Sequence, residues 1–168
     1  SADTPMESAW RDSRIGRIYE GTNEINRMLS VGMLLKKGMK GQLDLMPAVM
    51  KAAAAINENT AIPDKSAPLA EETRLLTNFK QIFTVLTGNA AQKYGDKLDK
   101  HQQLLLALAD ILIEIYFTES GILRTLKNCD RFGVESQDIQ ISIPKSYTYD
   151  STYIIIKKSN DIILYIFN

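Results

Sequence analysis

Apolar residues in the second half of the chain recur at steps of three and four: Leu75, Leu76, Phe79, Ile82, Phe83, Leu86 and Ala90. That spacing predicts an amphipathic helix from about Leu69, ended near Tyr94-Gly95-Asp96. A second apolar series, Leu104, Leu105, Leu108, Ile111, Leu112, Ile115 and Tyr116, predicts a central helix over about Asp99 to Lys127. Two long helices joined by a short turn form an αα-hairpin, and Asn128 to Gly133 supplies the next turn. In the first half, Thr4-Pro5-Met6-Glu7 reads as a capping box that opens a helix running to about Ile18. Thr22 or Asn23 can cap a second helix to about Lys37, with Gly38 and Gly41 as its stop. A third, from about Asp44 to Asn57, has Pro47 in its first turn and the alanines Ala52 to Ala55. Alanine favours helix but buries little area, so this element is expected to dock loosely.

The segment from Glu58 to Ala67, with Pro63 and Pro68 at hand, is the candidate domain boundary. Beyond Gly133 two periodicities compete. Ile139, Ile141 and Ile143 alternate before Pro144, and Tyr147 with Tyr149 alternate after it, as residues of strands do. Tyr153 to Ile156 and Ile162 to Phe167 flank Lys157 to Asp161 as two strands flank a hairpin loop. An isolated hairpin is marginal without partners, which favours helix. The expectation is an all-α helical bundle, helical to about Ser142 and broken or kinked at Pro144, with a β-hairpin left open for the tail.

Composition leaves this picture standing. The 168 residues are 45% hydrophobic and 24% charged, ordinary for a globular chain. Twenty basic residues balance twenty acidic ones, which gives no strong electrostatic attraction to nucleic acid or to an anionic membrane. One cysteine, Cys129, and one histidine, His101, cannot build a zinc site, and the lone thiol suits a reducing, cytoplasmic compartment. No run approaches the roughly 20 apolar residues of a membrane span.

Candidate chemistry sits in Tyr19-Glu20-Gly21-Thr22-Asn23-Glu24-Ile25, where a carboxylate, a glycine and a helix start coincide. Gly21 permits a turn that a Cβ would resist, leaving Glu20 on a connector between helices. A carboxylate so placed can be aimed into a cavity as a general base, although a solvated loop glutamate is the commoner outcome for that local chemistry. The longer run Trp10 to Arg27, with Arg11-Asp12-Ser13-Arg14-Ile15 leading into that turn, closely resembles the C-terminal signature of acyl-CoA dehydrogenases. Lys100 to Asp110 resembles the extra helical domain of the very-long-chain branch and of related bacterial enzymes. Phe132 to Gln137 is similar to the same pattern, which implies helix from Val134 onward.

The resemblance implies that Glu20 is the catalytic base, removing the α-proton of an acyl-CoA thioester while a hydride leaves the β-carbon for flavin N5. It implies that the Glu20 N–H and a flavin hydroxyl stabilise the thioester oxygen, and that the backbone of Gly21 lies beside substrate. Thr22, Asn23 and Glu24 match the segment that contacts FAD. The partners implied are acyl-CoA, an electron-transfer flavoprotein and a second copy in a homodimer, because the extra domain covers surface that shorter members use to form tetramers. The chain then divides into residues 1–41, the end of the catalytic helical domain; 42–68, a linker with a weak helix; and 69–168, the extra helical domain. It reads as a fragment of a longer protein, inactive alone and without tightly bound FAD. The alternatives are a helical assembly module without chemistry and a pseudoenzyme that keeps the turn.

Other residues invite bland readings. His101 reads as a surface helix residue, Cys129 as structural, and Met28, Met33, Met39, Met46 and Met50 as core filling. Lys36 to Lys51 combines lysines with apolar residues where very-long-chain relatives attach to membranes, but it lacks an aromatic anchor. A docked linker helix is the expectation there, in place of peripheral membrane contact.

Overall fold

The computed structural model describes residues 5–57 and 67–168. The described residues form six α-helices: α1 (Met6–Ile15), α2 (Asn23–Met39), α3 (Leu45–Asn57), α4 (Ala70–Tyr94), α5 (Gln102–Phe132) and α6 (Asp138–Phe167). Short 3-10 turns at Gly95–Lys100 and Val134–Ser136 join the last three, and no strand occurs among the described residues. The all-α expectation holds. Thr4 and most of the segment from Glu58 to Ala67 lie outside the described residues, so the capping box and the proposed linker are not addressed.

The α4–α5 hairpin forms as its spacing predicts, with Phe79, Phe83 and Leu86 of α4 buried against Leu104, Leu108 and Ile111 of α5. Each such side chain removed from water contributes about 1.5–3 kcal/mol. The long apolar series carries α5 five residues past the predicted end, to Phe132. Helix α2 lies against the same core through Val31 and Leu35. Its stop falls at Gly41, at φ +67°, while Gly38 remains inside the helix. Helix α3 docks more closely than an alanine-rich helix suggests. Val49 sits on Gly88 of α4, where a Cβ would come within 2.5 Å of its methyl group. One small residue thus lets two helices approach.

The tail is one helix, and the hairpin alternative is overturned. Its buried positions are Pro144, Thr148, Ser151, Ile155, Ser159, Ile162 and Ile166, a three-and-four repeat occupied largely by small or polar residues. Ile139, Ile143, Tyr149 and Tyr153, which gave the strand-like alternation, are exposed. Pro144 does not break the helix. Lacking an N–H, it frees the carbonyl of Gln140, and the Thr125 hydroxyl of α5 donates to that oxygen at 3.2 Å. At the far end, Lys93 donates to the carbonyl of Ile166, and the Tyr94 hydroxyl to that of Tyr165 at 3.2 Å. Both satisfy carbonyls that a helix end leaves open. The last three helices therefore run down, up and down around one core.

Candidate functional site

The turn between α1 and α2 is built by local bonds. Helix α1 ends at Ile15, three residues before the expected end, and tightens: Ile18 N–H donates to the carbonyl of Ile15 at 3.0 Å. The Asn23 N–H then reaches back to the carbonyl of Arg17 at 3.2 Å, closing a loop around Tyr19, Glu20 and Gly21. Thr22 is the cap of α2, its hydroxyl accepting from the Ile25 N–H at 3.4 Å, as the sequence predicts. Gly21 is at φ +92°, and Glu20 itself is at φ +58°. A left-handed conformation is expected at glycine; at a glutamate it costs energy and marks a backbone held by its surroundings.

Glu20, Thr22, Asn23 and Glu24 are exposed and Gly21 is half-buried, all at the head of α2. The five candidate residues are thus brought together on one connection. The chain does not itself bury Glu20, and the carboxylate makes no ion pair or hydrogen bond among the described residues. The Asn23 and Ile25 N–H groups are taken up within the turn, which leaves the exposed N-terminus of α2 with the positive end of its helix dipole beside Glu24. Two further residues of the turn had no role on spacing alone. Asn26 donates from Nδ2 to the carbonyl of Gly21 at 2.8 Å, and Arg27 forms an ion pair with Asp110 of α5. The first is a contact five residues apart and the second 83 apart, so no periodicity announces either.

Elsewhere the bland readings mostly hold. Cys129 is buried. His101 precedes α5 instead of lying on a helix face; its ring stacks on Tyr94 with centroids 3.9 Å apart, and Nδ1 lies 2.9 Å from the Tyr165 hydroxyl. Met28 packs against the core, but Met33, Met39, Met46 and Met50 are exposed, so core filling fails for those four. Among the described residues no three acidic, histidine or cysteine side chains are grouped to hold a metal, and no helix is long and apolar enough to cross a membrane.

The described residues form helices and turns without a strand, and a strained turn that carries Glu20 stands at the head of α2; comparison defines the family. The acyl-CoA dehydrogenase C-terminal domain matches residues 78–168, and a second domain of the same description matches residues 1–34, the part that holds the turn. The chain belongs to the acyl-CoA dehydrogenase C-terminal domain family. A probable acyl-CoA dehydrogenase of Bacillus subtilis (strain 168) is 39% identical over 130 residues, which are 77% of this chain and 22% of that protein. The crystal structure of an acyl-CoA dehydrogenase complexed with FAD from Bacillus anthracis is 35% identical and superposes with a TM-score of 0.85, covering 99% of this chain and 28% of that one. The chain thus spans about a quarter of the length of the relatives it matches.

Proposed function

We propose that this chain is the C-terminal part of a flavin-dependent acyl-CoA dehydrogenase of the extended, very-long-chain-like type, and that Glu20 is its catalytic base. The observation that carries the reading is the left-handed φ of Glu20, +58°, in a connection closed from both sides by Arg17, Thr22 and Asn26. A glutamate held against its backbone preference is one whose direction matters. In the intact enzyme, segments beyond this chain cover Glu20, and its carboxylate accepts the α-proton of the bound thioester. The backbone N–H of Glu20 donates to the thioester oxygen, where negative charge develops. Gly21 lets Asn26 close on its backbone, and its half-buried main chain lies beside the substrate.

The exposed head of α2 fits FAD: Thr22, Asn23 and Glu24 all stand in solvent at a helix N-terminus, where the helix dipole favours acceptor groups. When bound, FAD supplies the acceptor for the hydride that leaves the β-carbon. Residues 1–41 then complete the catalytic helical domain, 42–68 link, and 69–168 form the extra domain. The enzyme works in fatty acid β-oxidation in the cytoplasm, and an electron-transfer flavoprotein removes the electrons.

The test is Glu20→Gln in the full-length protein. Acyl-CoA binding should persist while flavin bleaching by palmitoyl-CoA is lost; bleaching at the original rate rejects Glu20 as the base. A second reading, in which residues 69–168 serve assembly, is favoured by the exposed aromatic pair Tyr116 and Phe117 on α5, with the partly covered Tyr147 of α6 beside Phe117. It predicts a homodimer that Phe117→Asp weakens in sedimentation velocity.

A further inference from the structure

Asp110, in the first third of α5, pairs with two helices at once. One carboxylate oxygen meets Arg27 of α2; the other meets Lys158 of α6 at 2.8 Å. The three side chains are only 20%, 29% and 32% exposed, so most of each charge is removed from water. In such a setting the loss of one partner leaves an uncompensated charge and costs more than an exposed pair would. The arrangement is asymmetric: without Arg27 or Lys158 a pair remains, whereas without Asp110 two cations face each other. Arg27 depends on it further, because its Nε is buried without a hydrogen-bond partner among the described residues.

Arg27 is next to Asn26, whose Nδ2 holds the carbonyl of Gly21 at 2.8 Å, and Gly21 follows Glu20. A continuous set of contacts thus runs from α6 and α5 through the start of α2 to the turn. We propose that Asp110 is a positioning residue for the Glu20 turn: by fixing Arg27, it holds the head of α2 and the Asn26 clamp in the register that proton transfer needs. The helical region beyond residue 69 then acts on the reaction without touching substrate. This rests on the reading of Glu20 as the base.

The test uses the FAD-loaded full-length enzyme. Asp110→Asn keeps the shape and removes the charge. It should slow flavin bleaching by about tenfold with acyl-CoA affinity unchanged, the result of a misplaced base. Asp110→Glu should recover most of the rate. Hydrogen exchange should accelerate at residues 24–27 and, locally, around Lys158, and stay unchanged in α4 and in the rest of α6. An unchanged rate overturns the proposal, as does exchange that accelerates evenly through α4, α5 and α6, because Asp110 then only stabilises the bundle. Should Asp110→Asn not fold, Arg27→Lys keeps the charge, loses the guanidinium fork and is judged by the same two results. Exchange at residues 24–27 does not depend on flavin chemistry, so it separates failure of this link from failure of the Glu20 assignment, which the Glu20→Gln bleaching assay reports.

Discussion

Two consecutive residues at positive φ give the Glu20-Gly21 connection its shape, and the second admits no side chain. A Cβ on Gly21 would lie 2.7 Å from Oδ1 of Asn26, the side chain that clamps the Gly21 carbonyl. Gly21→Ala therefore strains the backbone and displaces the clamp together. The expected cost is about 1–3 kcal/mol, read as a lower urea midpoint for this chain, with loss of turnover in the full-length enzyme. A midpoint equal to the parent's would show that the turn relaxes freely. A second residue is marked by its proton affinity. Burial, followed by a hydrogen bond to the Glu114 carboxylate, pushes the Tyr147 hydroxyl up to about 12. The group is neutral below that value when folded and ionises near 10 when unfolded, so the folded state binds the extra proton in between. Its contribution to stability is complete below pH 10 and is lost as pH rises through about 12. Spectrophotometric titration should show one late tyrosine among the seven, absent in Tyr147→Phe and shifted down in Glu114→Gln.

Helix α6 shows how an element can be hidden by its own packing. Helices α4 and α5 were legible because Leu, Ile and Phe occupy their buried positions at helical spacing. In α6 the buried row is Pro144, Thr148, Ser151 and Ser159 among three isoleucines, while Ile139, Ile143, Tyr149 and Tyr153 face outward. Hydropathy then reports the outer face, and with Pro144 it reads as strand and break. What keeps Pro144 inside a helix is a partner on another element, which no local rule contains. The same reason limits what could be read of the site: the Glu20 connection and the Thr22 cap are local, whereas the Arg27–Asp110 pair joins distant residues. The Thr125 hydroxyl yields a sharp expectation. Thr125→Val leaves the Gln140 carbonyl without its donor and should cost about 1–3 kcal/mol. In a Pro144→Ala background the helix regains its own N–H for that carbonyl, so the cost should shrink. A double-mutant cycle on thermal unfolding measures the difference, and additive effects would reject the account.

At the scale of the molecule, large apolar side chains on α1, on the turn and on α2 stand open. Met6, Trp10, Ile15, Ile18, Ile25, Leu29 and Met33 are all exposed there, more than a folded surface leaves uncovered without a partner. The solved relative is between three and four times as long as the part of it this chain covers. If the reading is right, the isolated chain holds one wall of an active site and should be colourless on purification and inactive with palmitoyl-CoA. A yellow protein with stoichiometric flavin would contradict it. Trp10 makes the covering measurable, since it is the chain's one tryptophan and stands 64% exposed on α1. In the isolated chain its emission should be water-like and readily quenched by acrylamide. In the full-length protein, with other tryptophans replaced by phenylalanine, the emission should shift to the blue and the quenching should fall. Equal quenching in both would mean that α1 stays in solvent and that the wall carrying Glu20 is not closed over Trp10.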